Sequence, residues 1–101
     1  MQPVVFVRVV DGVRYSTEKA TLISSDCYWD GHNFERCGRN TFLYRTVKGR
    51  YFVVKLSLHQ GERDSLTPIS IDKARELYEH ELTEYEVPYE EAFPDVEIEE
   101  A

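Results

Sequence analysis

The chain has 101 residues, which is enough for one modest hydrophobic core and too few for two. Hydrophobic residues make up 42% and aromatic residues 13%, which excludes general disorder, and no stretch approaches the ~20 apolar residues of a membrane span. The net charge of −7 is unevenly divided, because residues 1–75 carry about +4 whereas residues 76–101 contain eleven acids and no lysine or arginine. With no signal-peptide pattern at the N-terminus, the composition predicts a cytosolic domain over residues 1–94 followed by an acidic tail at 95–101.

The N-terminal segment has the pattern of a β-hairpin. Val4–Val10 is a run of β-formers interrupted only by one arginine, and Asp11-Gly12 is a strong two-residue turn signal leading into Val13–Tyr15. Ser16 and Thr17 then precede one short helical turn, and residues 21–25 predict another strand. This strand can continue to Trp29 and end in a turn at Asp30-Gly31.

Two cysteines flank a histidine in the next segment, CYWDGHNFERC. Cys27, His32 and Cys37 are each separated by four residues, a spacing that does not match the ligand pairs of common zinc sites. Free thiols are the favoured interpretation; a metal site or a disulfide remains a minority alternative. No cofactor is predicted.

The stretch Thr41–Lys55 is the strongest hairpin in the chain. Two runs of aromatic and β-branched residues flank Lys48-Gly49, whose glycine can take the positive φ of a two-residue turn. This turn predicts that Thr46 pairs with Tyr51 and that every later pair follows the same register. One face would then carry Leu43, Arg45, Val47, Arg50, Phe52 and Val54, and the other Phe42, Tyr44, Thr46, Tyr51, Val53 and Lys55.

The remainder predicts a loop, a helix and an acidic end. Residues 57–66 show no periodicity, and Thr67-Pro68 leads to Ser70, a good N-cap for a helix from Ile71 to Leu82. Apolar side chains recur along this helix at three- and four-residue spacings: Ile71, Ala74, Leu77, Tyr78, Leu82 and Tyr85. Pro88 can start a second short helix, Tyr89–Phe93.

These elements predict an α+β fold. An antiparallel sheet of two or three hairpins would carry the C-terminal helix on one face, with an acidic tail beyond it. The first strand could form an exposed sheet edge, which leaves a homodimer as an open alternative.

Motifs that would indicate catalysis are absent from the sequence. There is no nucleophile elbow, no phosphate-binding glycine loop and no zinc-protease helix, and the three histidines stand far apart. The sequence therefore favours a binding protein over an enzyme.

Two surfaces are candidates for binding. The first is acidic and would engage a basic protein partner through Glu76, Glu79, Glu84, Glu86, Glu90 and Glu91. The second, an alternative, is a nucleic-acid-binding hairpin in which cations contact phosphates and rings stack on bases: Arg45, Lys48, Arg50, Tyr44 and Tyr51. The low pI of about 4.9 disfavours the second. Simple solvation of the acidic face is the remaining interpretation.

The order of motifs has a counterpart in a known group of proteins. DGVRYSTEKATLI at 11–23, LYRTVKGRYF at 43–52 and TPISIDKAREL at 67–77 resemble a family of small acidic proteins carried by conjugative and phage-like elements of bacteria. The resemblance implies a mobile-element setting and anti-defence work, such as inhibition of a CRISPR or restriction nuclease complex by carboxylates that occupy its nucleic-acid site.

Overall fold

The computed structural model describes residues 5–26, 39–57, 61 and 63–101. The predicted continuation of the third strand to Trp29, its turn at Asp30-Gly31 and the Cys27–His32–Cys37 segment lie outside these residues. Seven strands are described: β1 Val7–Val10, β2 Val13–Ser16, β3 Ala20–Ser25, β4 Arg39–Thr46, β5 Tyr51–Ser57, β6 Ser65–Ile69 and β7 Glu84–Tyr85. A 3₁₀ turn spans Thr17–Lys19, and the helices are α1 Ile71–Glu76, continued by a π-helical turn at Leu77–Glu81, and α2 Tyr89–Ala92. None of the described helices has the length and apolar character needed to cross a membrane.

Five strands form an antiparallel sheet in the order β6-β5-β4-β3-β7, and β1 pairs with β2 in a separate two-stranded sheet. The α+β class and the antiparallel sheet are therefore confirmed. Both faces of the large sheet are covered, since its side chains belong to two different hydrophobic clusters. The first cluster includes α1, the π turn and α2; the second includes residues of the first hairpin, which was not predicted to cover a face.

The turn and the pairing of the first hairpin are confirmed, but its first strand is shorter than predicted, since Val5 and Phe6 precede β1 without belonging to it. Asp11 and Gly12 have φ of 52° and 77°, as a type I′ turn requires, and Val10 pairs directly with Val13. The hairpin is held against the large sheet by Arg8, whose Nη1 donates to the Leu66 carbonyl at 2.6 Å. Three of its valines, Val5, Val7 and Val9, stay exposed at alternate positions, and the homodimer remains a prediction.

The predicted register of the central hairpin is wrong by one residue. The loop has three residues, Val47 to Gly49, and is closed by hydrogen bonds between Thr46 and Arg50: the Thr46 amide donates to the Arg50 carbonyl at 2.7 Å, and the Arg50 amide to the Thr46 hydroxyl at 3.0 Å. Gly49, at φ 84°, takes the left-handed third position that such loops need.

A one-residue slip moves every β5 side chain to the other face. Tyr51 and Val53 therefore join Leu43 beneath the helices, whereas Phe52 and Val54 join Phe42 and Tyr44 beneath the first hairpin. The facial sets expected from a two-residue turn are corrected accordingly.

Replacement of Gly49 by alanine tests this loop. A Cβ at Gly49 would make only an ordinary contact, 3.5 Å from Arg45 Nη2, so the cost comes from the left-handed backbone. We expect the free energy of unfolding in urea to fall by about 1–2 kcal/mol. Gly49→Asn should cost less, because asparagine tolerates this conformation better; equal stability of Gly49→Ala and the native chain would contradict the assignment.

Two edge strands were not predicted. The sequence predicts a loop and a helix entry over Ser65–Ile69, but this segment pairs with β5 from Lys55–Ser65 to Tyr51–Ile69. Pro68 is tolerated because β6 is an edge strand, where one proline need not break a ladder. β7, with two residues, is too short to show alternation.

The main helix begins as predicted and changes form before its end. The Ser70 hydroxyl accepts from the Lys73 amide at 3.1 Å, which caps α1. From Leu77 onward the helix widens into a π turn, closed by the Leu82 amide donating to the Leu77 carbonyl at 2.8 Å. Ala74, Leu77, Tyr78 and Leu82 are buried as predicted, whereas Ile71 and Tyr85 are exposed.

Candidate acidic interaction surface

The acidic segment from β7 to α2 is fixed to the sheet through its backbone. Ser24 and Ser25 pair with Tyr85 and Glu84, and the Glu86 amide donates to the Ile23 carbonyl at 3.1 Å. The acids of this segment are therefore held on ordered backbone.

A cluster of aromatic rings anchors the segment from beneath. The Tyr78 hydroxyl donates to the Val87 carbonyl at 2.7 Å, and its ring lies 4.6 Å from Tyr85, 5.5 Å from Tyr89 and 5.6 Å from Phe93, measured between centroids. Such ring pairs add about 0.5–1.5 kcal/mol beyond burial.

Tyr51 completes this anchor from the sheet. Its ring stacks on Phe93 at 5.2 Å and its hydroxyl donates to the Ala92 carbonyl at 2.7 Å, which ties α2 to β5. The sequence predictions do not include this cluster; the spacing of Tyr78, Tyr85 and Tyr89 along the chain is the signal that could have indicated it.

The six acids predicted as a binding surface fall into two groups. Those on the main helix have cationic neighbours: Lys73 Nζ lies 3.7 Å from Glu76 and from Glu81, and Arg75 Nε lies 3.7 Å from Glu79. Glu79 also accepts from the Tyr89 hydroxyl at 3.0 Å. These pairs are solvent-exposed, so each contributes only about 0–1 kcal/mol, but they reduce the charge available to a partner.

The second group is Glu84, Glu86, Glu90 and Glu91, which together with Tyr85 we call the acidic surface. Within the described residues, none of these four carboxylates has an ion pair. Glu86, Glu90 and Glu91 are exposed, Glu84 is half-buried and Tyr85 is 54% exposed. The surface therefore combines four carboxylates that have no ion pair within the described ranges with one exposed tyrosine.

The electrostatics at Tyr78 reflect this charge. Burial raises the pKa of the Tyr78 hydroxyl, and the neighbouring Tyr85, Glu90 and Tyr89 raise that pKa further. A phenolate next to a carboxylate is disfavoured, which places Glu90 within electrostatic reach of the aromatic cluster.

Glu90→Gln should therefore lower the pKa of Tyr78 toward its ordinary value of 10.0, because it removes a negative charge that opposes the phenolate. The measurement is the pH titration of the Tyr78 ¹³Cζ chemical shift. Glu91→Gln is the matched control and should leave the pKa of Tyr78 unchanged. An unchanged Tyr78 pKa in Glu90→Gln would remove Glu90 from this neighbourhood.

The alternative nucleic-acid-binding set is not brought together. Tyr44 and Tyr51 are each 4% exposed and lie on opposite faces of the sheet, where Tyr44 stacks on Phe52 at 5.1 Å. Neither ring presents a free face on which a base could stack. Lys48 and Arg50 are exposed at the turn, whereas Arg45 is half-buried.

The basic hairpin and the acidic end are not joined by ion pairs among the residues that the structure describes. They do approach each other at Tyr51. Burial raises the pKa of the Tyr51 hydroxyl, Arg45 offsets part of that rise, and Asp95 adds to it. Tyr51 thus lies within electrostatic reach both of Arg45 in the basic hairpin and of Asp95 at the beginning of the acidic tail.

Metal binding has no support in the described part of the chain, where no three histidine, cysteine or carboxylate side chains are grouped to hold an ion. Cys27, His32 and Cys37 are outside it.

Comparison with protein-family models, with curated proteins and with solved structures finds no match to this chain.

Proposed function

We propose that this chain is a non-enzymatic binding protein whose acidic surface occupies a basic, nucleic-acid-binding surface of another protein. The observation that carries the proposal is the set of four carboxylates at Glu84, Glu86, Glu90 and Glu91, which are held on ordered backbone without ion pairs among the described residues. In this proposal the main helix supports the acidic surface, and the acidic tail adds to the negative electrostatic potential of that surface.

Unneutralised charges of one sign repel one another, and a partner with cations at matching positions relieves that repulsion. The same charges attract a basic partner from a distance and raise the rate of association, an effect that salt reduces. Charge complementarity, rather than buried area, is thus the expected source of selectivity.

Tyr85 is suited to serve as the central contact. It is 54% exposed, and its ring packs against that of Tyr78 at 4.6 Å between centroids. A ring in this setting can stack on an arginine of the partner, and exposed tyrosines are frequent hot spots of protein interfaces.

The proposed partner is a cytosolic nuclease complex of a host defence system, such as a CRISPR or restriction nuclease. This narrower form follows from the resemblance to mobile-element proteins. The physical argument requires only that the partner surface be basic and able to bind nucleic acid.

The test is a pull-down from bacterial lysate with the tagged chain, compared with a variant in which the six predicted acids, Glu76, Glu79, Glu84, Glu86, Glu90 and Glu91, are replaced by glutamine. We expect the variant to retain its fold and to lose the partner, and the native complex to weaken as salt increases. Equal recovery of the partner by the native chain and by the variant would contradict the proposal.

Direct nucleic-acid binding is the competing outcome. Fluorescence polarisation with mixed labelled oligonucleotides at low salt distinguishes it, because a phosphate-binding surface gains affinity as salt falls. If oligonucleotides bind through Lys48 and Arg50, and the six-glutamine variant recovers as much partner in the pull-down as the native chain does, the nucleic-acid interpretation displaces ours.

A further inference from the structure

A second surface, distinct from the acidic one, is a cleft between the first hairpin and the β4–β5 loop. Its volume is about 470 Å³, within the ~300–1,000 Å³ typical of small-molecule sites. The cleft is lined by the β1–β2 turn and β2, by the 3₁₀ turn and by the β4–β5 loop.

Four cations line this cleft: Arg14, Lys19, Lys48 and Arg50. All four are exposed, and none has an ion pair with any acid in the described ranges. Asp11 and Glu18 are adjacent to lining residues in sequence but do not themselves line the cleft. Strand β2, the 3₁₀ turn that follows it and the β4–β5 connection thus bring four positive charges to one cleft in a protein of net charge −7.

The walls between the cations are partly apolar. Val13 is half-buried at the end of the first hairpin, and Val47, at 86% exposure, is the most exposed large hydrophobic side chain of the described residues. A ligand that fits these walls carries several negative charges next to a non-polar or aromatic part. Nucleotides have this composition, with phosphates for the cations and a base for the valines.

The size and the overall charge favour one nucleotide over a long strand. A strand extending beyond the cleft would meet the field of a strongly acidic protein, whereas a compact ligand stays within the four cations. The cleft also lies toward the hairpin-covered face of the sheet, while the acidic surface adjoins the helix-covered face.

We propose that this cleft binds the phosphate groups of a nucleotide, with Arg14, Lys19, Lys48 and Arg50 as the phosphate ligands. The phosphates have two sources, a free nucleoside triphosphate or one nucleotide of a single strand. The site is independent of the acidic surface and of the partner proposed for it.

The experiment uses the full chain and three probes: a fluorescent nucleoside triphosphate, inorganic triphosphate as competitor, and a labelled twelve-nucleotide single strand. We expect saturable binding of the nucleoside triphosphate at low salt and competition by inorganic triphosphate. If the single strand binds and the nucleoside triphosphate does not, and if the cleft variant abolishes binding of the strand, then the strand is the source of the phosphates at this cleft.

The cleft variant is Lys48→Gln with Arg50→Gln, and its matched control is Lys55→Gln with Arg63→Gln, which removes the same charge from exposed positions outside the cleft. The cleft variant should lower affinity at least about tenfold and the control much less. No saturable binding of any probe, or equal loss in both variants, would overturn the proposal. Circular dichroism of both variants shows whether each retains its fold.

Discussion

Replacement of Phe52 by alanine is expected to lower the free energy of unfolding by about 3–5 kcal/mol, the range for large buried aromatics. Phe52 is fully buried, stacks on Tyr44 at 5.1 Å and meets the edge of Tyr15 at 5.6 Å, so it joins the first hairpin to the centre of the sheet. A small domain has only about 5–15 kcal/mol of stability, which makes this loss severe. Equilibrium unfolding in urea measures it.

Val47→Ala is the control for this prediction. Val47 lies five residues away in the hairpin loop and is 86% exposed, so its truncation should change stability by no more than about 0.5 kcal/mol. If Phe52→Ala were as stable as Val47→Ala, Phe52 would not be a packed residue of the core, and its contacts with Tyr15 and Tyr44 would be wrong.

A second large effect is expected from glutamine at Glu84, Glu86, Glu90 and Glu91. These carboxylates are unpaired among the described residues and should each face a cation of the partner. At up to about 1 kcal/mol for each exposed pair, the combined variant should bind the partner up to about three orders of magnitude more weakly at low salt. Isothermal titration calorimetry at two salt concentrations measures the loss.

The matched control replaces four other exposed glutamates, Glu18, Glu97, Glu99 and Glu100, by glutamine. It changes the net charge equally but leaves the acidic surface intact. The control should lose far less affinity, since long-range attraction between exposed charges is screened over about 8 Å at physiological salt. Equal losses would mean that overall charge, rather than this surface, determines binding.

Local turn chemistry explains both the success and the failure of hairpin prediction. Asp11-Gly12 is a strong signal for a two-residue turn, and the structure has that turn. Lys48-Gly49 allows two registers, because a glycine with positive φ fits the second position of a two-residue turn and the third of a three-residue loop. The Thr46 hydroxyl accepts a hydrogen bond from the Arg50 amide, which stabilises the three-residue loop. The hydrophobic pattern could not distinguish the two registers, because both faces of β5 are apolar and both are buried.

Edge strands and covering layers were harder to predict. β6 contains Pro68, and a proline is compatible both with the start of a helix and with an edge strand. Only the pairing of β6 with β5 distinguishes the two. The cover for the second sheet face comes from the first hairpin, whose docking depends on long-range contacts such as that of Arg8 with Leu66. Amphipathic spacing identified the helix cap and the residues that α1 buries, but not the π turn at Leu77.

The charge layout of the candidate site was readable from the sequence, and the selection among the acids was not. The count of charged residues predicts that the C-terminal quarter of the chain is acidic. Which glutamates are paired depends on where Lys73 and Arg75 point, and the accessible Tyr85 depends on the pairing of β7 with β3. The burial of Tyr44 and Tyr51 likewise follows from tertiary packing, which removes two rings from the basic hairpin as stacking surfaces.

Competition with nucleic acid tests the central claim most directly. Labelled duplex DNA bound to the captured partner is titrated with the native chain, and fluorescence polarisation reports the fraction of DNA that remains bound. We expect the native chain to displace the DNA completely, less effectively as salt rises, and the six-glutamine variant to leave it bound. A ternary complex, in which the partner holds the DNA and the native chain at the same time, would contradict the account.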